Sequence, residues 1–407
     1  MTASSPQIGD PKLTTVTVGG IDVLKQAAVI TLSIYESIFT PATIADITVA
    51  DTNNLIGKGR MTGGEPVSIV LDCMIEGSPT IKLDLVLDQI ADAVAMGAQK
   101  SKLYTLKCVS PEALDAKINY VQKCYENKLC SDMISDIVKT YLHSKKKVDV
   151  ESTKGPQTIL IPNINPYHAI SLVRKRSISS SNKSSVYVFY ESREGSQTKY
   201  KFTTIEQLFK GSVIKSFKQS DAINADIRNV KDDNIISYRV SHQASASELI
   251  KNASTSINID DLRSNYKQTA TKKPKPGQTG GSSSVENSYI QDKNKRSKIQ
   301  PTAQIPTDTN MTNSRIAEFT PDFRTYIGTL MQNSLRIRVI GDTALTAGSM
   351  IDCTIPEKQA APGAVRQEPM LTGKFLISRI HHRIGAITEQ PRYSCIIEGL
   401  KGQYEGK

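Results

Sequence analysis

Five histidines, six cysteines and one glycine-lysine string are the residues of this 407-residue chain whose chemistry could reach beyond packing. His143, His168, His242, His381 and His382 fall in no His-Glu-x-x-His, His-x-His or Cys/His spacing, so they predict no metal site. His381 and His382 are consecutive in an alternating stretch. Neighbouring residues of a strand point to opposite faces, so one inward and one exposed ring is expected. Cys73, Cys108, Cys124, Cys130, Cys353 and Cys395 include no Cys-x-x-Cys pair. Cys108 and Cys395 sit in apolar alternations, where Cys packs as a small hydrophobe, and free thiols in a reducing compartment are expected.

Gly57-Lys58-Gly59-Arg60 lacks the spacer and the Gly-Lys-Ser/Thr ending of a phosphate loop, and Gly63-Gly64 follows at once; a turn is expected. There is no Gly-x-Ser-x-Gly elbow. Asp84 and Asp88 share one face of an alternating run, which reads as solvated carboxylates rather than an acid/base pair. No catalytic, cofactor-binding or metal-binding residue is nominated, and a non-enzymatic role is expected.

The net charge of +11 suggests a polyanionic partner, but it is concentrated. Lys267 to Lys298 holds eight basic residues and two acidic ones, Glu286 and Asp292, a net +6. Such a stretch could neutralise phosphates. Tyr289 is its only aromatic residue, whereas single-strand binders add stacking platforms, so a solvated linker is the favoured reading.

The elements that would position these residues are mostly strands. An N-terminal arm (1–12) precedes a β-rich region, 13–110, with alternation at Thr14–Val18, Ala28–Tyr35, Thr43–Val49, Val67–Leu71, Ile81–Ile90 and Leu103–Val109. At Ser110-Pro111 the period changes: Ser is a natural N-cap and Pro fits the first helical turn. Leu114, Ile118 and Val121 recur at helical spacing, and Met133, Ile134, Ile137, Val138, Tyr141 and Leu142 form a second stripe. Pro156–Pro166 reads as an extended link and Tyr167–Lys175 as a helix. Val186–Tyr190 is the clearest strand, Tyr200–Phe202 its candidate partner, and Thr204–Lys210 a short helix. Residues 111–215 thus form an α+β domain.

A connecting β segment (216–265) leads to a Lys/Ser/Gly-rich stretch, 266–312, whose composition buries too little apolar area to offset its ordering entropy; a flexible insertion is expected. A second β-region spans 313–403, with a helix expected within Ile316–Leu330, and a short tail (404–407) follows. No secretory signal or membrane anchor is expected from the short, charge-broken apolar runs.

The second β-region echoes the first. Gly64-Glu65-Pro66 before Val67–Leu71 matches Ala347-Gly348 before Ser349–Ile355. Ile81–Ile90 matches Lys374–Ile380, and Lys102–Cys108 matches Pro391–Ile397. Duplicated β-barrel units are expected.

Several strings, in order, carry a resemblance: Ser37–Thr40, Ile47–Asp51, Tyr125–Ile134, Ile164–Ile170, Val188–Glu191, Ile205–Leu208, Gly341–Gly348 and Gly373–His382. The chain resembles the baseplate hub family of contractile phage tails, the ring between tail tube and central spike. That family is related to the N-terminal hub region of type VI secretion spikes. The resemblance implies a mainly β, α+β chain with two tube-like antiparallel β-barrel domains flanking the α+β domain. It also implies a homotrimeric, pseudo-hexameric ring in the virion tail, assembled in the host cytoplasm. Its implied partners are the central spike protein and the tail tube or tube-initiator protein, with tape-measure and baseplate wedge proteins nearby. DNA would meet it only in transit. The insertion matches nothing in the family, and no spike or lysozyme-like domain is seen. The alternative is a basic nucleic-acid-binding protein using Lys267–Lys298; a cell-wall hydrolase has no candidate acid/base pair.

Overall fold

The computed structural model describes residues 9–59, 61–96, 101–182, 184–219, 232–242, 254–257, 268–272, 301–304, 330, 333–357, 367–368, 371–386 and 391–401. The first β-module contains β1 (Pro11–Val18), β2 (Ile21–Asp22), α1 (Val23–Gln26), β3 (Ala28–Ser37), β4 (Ile44–Asp51), α2 (Leu55–Gly59), β5 (Pro66–Cys73), β6 (Ile81–Met96) and β7 (Ser101–Val109). Its strands lie in the order β2-β1-β5-β6-β7-β4-β3, every pair antiparallel. The two-residue period sets their faces: Ile81, Leu83, Leu85 and Leu87 are buried while Lys82, Asp84 and Asp88 are exposed. Gly57–Gly59 lies in a single helical turn rather than the expected turn, since Leu55 anchors it in the core and the Asp51 carboxylate accepts from Leu55 N.

The middle layer contains α3 (Pro111–Ile118), β8 (Val121–Lys128), α4 (Cys130–Thr140), β9 (Lys147–Val150), β10 (Gln157–Ile164), α5 (Pro166–Arg174), β11 (Tyr187–Glu194), β12 (Gln197–Thr204) and α6 (Ile205–Phe209). Pro111 and Pro166 occupy first turns, and Asn165 caps α5 by accepting from Tyr167 N at 2.8 Å. The α4 stripe is core as expected: Met133, Ile134, Ile137 and Val138 are wholly buried.

Two expectations fail here. Val121 starts a strand, not a helical turn, and Ile118 is 73% exposed; α3 instead buries Glu112 and Ala116. The stretch expected as an extended link, Pro156–Pro166, instead holds a ladder strand, Gln157–Ile164, paired with β8. The Val186–Tyr190 run pairs with β12 and is buried on both faces, which explains why it is apolar without alternation. Val186, Val188 and Tyr190 join the β-module core, while Tyr187 and Phe189 join the middle layer's own core.

The chain continues through β13 (Val213–Lys218), β14 (Ile235–His242), β15 (Ser254–Ile257), β16 (Gln268–Lys272), β17 (Pro301–Gln304), β18 (Asn333–Ile340), β19 (Met350–Thr354), β20 (Gly373–Ile384) and β21 (Tyr393–Leu400). β15, β16 and β17 form a separate three-stranded sheet. The described part of the Lys/Ser/Gly-rich stretch is therefore strand; the rest of that stretch, and the expected helix before Leu330, lie outside the described residues. The second β-module takes strands from both sides of this sheet. β13, assigned by sequence to the α+β domain and its link, pairs with β19, and β14 pairs with β18.

The two modules share one topology. The order β1-β5-β6-β7-β4-β3 of the first reappears as β13-β19-β20-β21-β18-β14 in the second, with strands used in the same chain sequence. Only one pair differs in sense: β1–β5 is antiparallel and β13–β19 parallel. Irregularities recur at matching places. β6 breaks register on β7 between Leu87 and Gln89, and β20 on β21 between Ile377 and Arg379. β3 does so on β4 between Val29 and Thr31, and β14 on β18 between Ile235 and Ser237.

The modules are also one sheet. β3 pairs antiparallel with the second half of β20, from Arg379↔Ser37 to Ile384↔Leu32, giving a 13-stranded sheet over a single buried cluster.

Candidate functional site

Three buried polar clusters fasten the layers together, the first of them where β3, β11 and β20 meet. The central one is built on Glu36 and Arg193. Glu36 follows Leu32 and Ile34 on the inward face of β3, a carboxylate where alternation calls for an apolar side chain. Its Oε1 accepts from Arg193 Nε, and its Oε2 from Thr346 Oγ1 at 2.7 Å and Ala347 N at 3.2 Å. Arg193 also donates to the carbonyls of Thr343 at 3.0 Å and Leu345 at 2.6 Å. Burial raises the Glu36 carboxyl, but the Arg193 charge together with the hydrogen bonds from Arg193 and Thr346 holds the group below its usual value, so the pair is ionic.

His382 completes this cluster. Arg193 Nη2 lies 3.1 Å from His382 Nε2; arginine can only donate, so Nε2 accepts and Nδ1 carries the proton. Nδ1 then donates to Tyr393 Oη at 2.9 Å, with Cys395 Sγ at 3.3 Å. Burial, with the Arg193 charge, lowers His382 to about 3, and burial pushes the Cys395 thiol up to about 12. The ring is neutral and the thiol protonated, so neither is an activated base or nucleophile. His381 lies on the opposite face, as the strand period requires. It is half-covered rather than exposed, stacked on Tyr35 across the module junction with ring centroids 4.4 Å apart.

The second cluster ties the first module to the middle layer. Glu191 Oε1 accepts from Lys146 Nζ at 2.7 Å, and its Oε2 from Ser110 Oγ and Thr43 N. Lys146 also donates to Glu112 at 2.7 Å. Ser110 makes no side-chain cap on α3, contrary to the sequence expectation, because Glu191 takes its hydroxyl. The third cluster joins both modules. Asp342 accepts from Lys215 Nζ at 2.7 Å, Ser78 Oγ at 2.7 Å and Ala344 N at 2.9 Å. Burial raises Asp342, but Lys215 and the other donors hold it below its usual range.

Chemically, these clusters can lock orientation. They present paired charges and one protonated thiol, Cys395, and among the described residues no group of three His, Cys, Asp or Glu could hold a metal. Asp88 forms a surface pair with Lys117 at 2.8 Å, and Asp84 is solvated. Every described cysteine is free. Most of Lys267–Lys298 lies outside the described residues. Sequence reasoning missed Glu36, Arg193, Lys146 and Asp342. Only Glu36 left a signal, as a charge in phase with an apolar strand face.

No protein-family model matches the chain, and no curated protein matches its sequence. Solved structures do. The 43 kDa tail protein of prophage MuSo2 from Shewanella oneidensis aligns with TM-score 0.58 over 97% of this chain and 99% of its own, at 12% identity. A tail protein from Neisseria meningitidis gives TM-score 0.58 over 96% and 97%, at 10% identity. This chain has the tail-protein fold. The Escherichia coli c3393 protein, a component of the type VI secretion system with structural similarity to the T4 tail proteins gp27 and gp5, gives TM-score 0.50. That alignment covers 95% of this chain and 76% of the other, at 9% identity. Near-complete coverage of both tail proteins means the tail-protein fold here includes both β-modules and the middle layer, not one shared barrel.

Proposed function

We propose that this chain is a structural baseplate hub subunit. Three copies form a closed, pseudo-hexameric ring that seats the hexameric tail tube on one face and holds the trimeric central spike on the other. DNA passes through its bore during ejection, and the ring resides in the virion tail. The observation that carries this reading is the repeated topology: three chains with two equivalent β-modules each present six similar units, which reconciles three-fold with six-fold symmetry. The buried clusters support it, because a load-transmitting collar needs its modules fixed to one another. The tail proteins and secretion component that share the fold support it as well.

Light scattering on the purified full chain tests the proposal. The expected mass is three times the 44.6 kDa chain, with three-fold annuli bearing six lobes in negative-stain images. A monomer that forms no ring with spike or tube protein would overturn it.

A further inference from the structure

The two modules share a topology and carry opposite charge. β14, β18, β20 and β21 of the second module hold Arg239, Arg336, Arg338, Lys374, Arg379 and Arg383 against one acidic residue, Glu398, a net of +5. Their counterparts in the first module, β3, β4, β6 and β7, hold Lys82, Lys102 and Lys107 against Glu36, Asp46, Asp51, Asp84, Asp88 and Asp92, a net of −3. One fold is built with either sign, so the fold itself does not call for the arginines.

The ladder register gathers them on one face. Arg239 lies directly across from Arg336, Arg336 and Arg379 flank Glu398, and Arg338 and His381 flank Ile396. Arg239 and Arg336 are both exposed, and like charges directly opposite one another are destabilising. Glu398 takes Arg379 at 3.1 Å, and among the described residues Arg239 and Arg336 have no carboxylate partner. A pocket of about 310 Å³ opens on the same face where β3 meets β20, lined in part by Arg336 and Arg379. Its apolar lining includes Tyr35, Ile44 and Ile396, with Tyr35 and Ile44 38% and 39% exposed. Tyr35 stacks on His381, which burial, with the charges of Arg383 and Arg336, lowers to about 4. That ring is neutral and extends the apolar surface.

We propose that this pocket and the arginines beside it bind an acidic segment of a partner protein, with carboxylates on Arg336 and Arg379 and an apolar side chain against Tyr35, Ile44 and Ile396. A guanidinium donates two parallel N–H bonds to a carboxylate, and such charge-assisted bonds are the strong ones. A DNA duplex offers phosphates but no apolar side chain to cover Tyr35 and Ile44. The site is complete within one chain, so its occupancy does not depend on ring closure.

Fluorescence anisotropy on the full chain tests this, with the fluorescein-labelled peptide Glu-Glu-Leu-Glu-Glu-Leu-Glu-Glu as the probe. Saturable binding is expected. Arg336→Ser combined with Arg379→Ser should weaken it about tenfold or more, since each hydrogen bond to a charged group is worth about 1.5–3 kcal/mol. Ile44→Glu, which keeps both arginines, should weaken it comparably, so the result does not hang on one variant folding; both should melt with the parent. The same peptide with Gly in place of each Leu should bind much more weakly. No saturable binding overturns the proposal, and so does equal binding of the Gly peptide, which would mean charge alone is read. A labelled single-stranded oligonucleotide that binds more tightly than the peptide and is released by the same variants would make the face a nucleic-acid site instead. Light scattering on the same samples reads the hub proposal separately: a monomer that binds the peptide overturns that reading and leaves this site standing.

Discussion

Arg193 and Glu36 form an ion pair that joins the middle layer to the first β-module, with side chains only 3% and 1% exposed. The partners are 157 residues apart in sequence, and the same guanidinium holds two carbonyls of the loop after β18. Removing one partner of a buried pair leaves the other charged without compensation, which costs about 3–5 kcal/mol. Arg193→Met and Glu36→Leu should each lower chemical-denaturation stability by roughly that amount. The double variant should lose much less than the sum. An additive double variant would mean that the two side chains do not act as a pair.

Asp342 makes stability depend on acid. Its carboxyl is held below the usual value by Lys215, Ser78 and the Ala344 N–H, so the folded state binds the proton more weakly than the unfolded chain does. The stabilisation is therefore present above the unfolded value of about 3.9 and is lost as pH falls through the folded value. Asp342→Asn should cost about 1–3 kcal/mol at pH 7, and the gap to the parent should narrow as pH falls below the unfolded value. Urea melts of both proteins from pH 7 to pH 2.5 measure this. A gap that stays constant with pH would show that charge is not the cause.

Gly348 is required by both conformation and space. Its φ is +85, and a Cβ there would lie 2.1 Å from Tyr190 Oη. The left-handed backbone costs a side chain about 1–2 kcal/mol, and overpacking adds about 1–3 kcal/mol. Gly348→Ala should lower the melting temperature sharply. Adding Tyr190→Phe should restore part of the loss, because it removes the nearest clashing atom. No recovery would show that the hydroxyl contact is not the cause, leaving backbone strain and the ring carbons at 2.9 and 3.2 Å.

The strand pattern was legible because one buried face per strand writes itself as alternation, as along Ile81–Leu87. The repeat was legible in the order of its strands, each Gly-led strand followed by a long strand and a closing strand with a Tyr and a Cys, although in register Tyr104 matches Cys395 and Cys108 matches Gly399. Val121 was misread because it falls at helical spacing from Leu114 and Ile118 by coincidence; Ile118 faces solvent, so no helical stripe exists there. The β3–β20 junction and the clusters around Arg193 and Asp342 were invisible. Each joins residues from distant segments, and no local period records which polar side chains will meet after folding.

The basic stretch decides between the hub reading and its alternative. If Lys267–Lys298 grips phosphates, its removal abolishes salt-dependent DNA affinity, since each neutralised phosphate steepens the dependence on log salt by about 0.9. If it is a solvated connection, assembly is indifferent to it. Replacing 273–300 with a short Gly-Ser linker keeps β15, β16 and β17 and removes six basic residues and two acidic ones. The expected result is an unchanged trimer mass and melting temperature, with only weak DNA binding in either protein at 150 mM salt. Fluorescence anisotropy on a labelled duplex across a salt series reads the binding side. Tight binding by the parent that vanishes with the linker would favour the nucleic-acid protein over the hub.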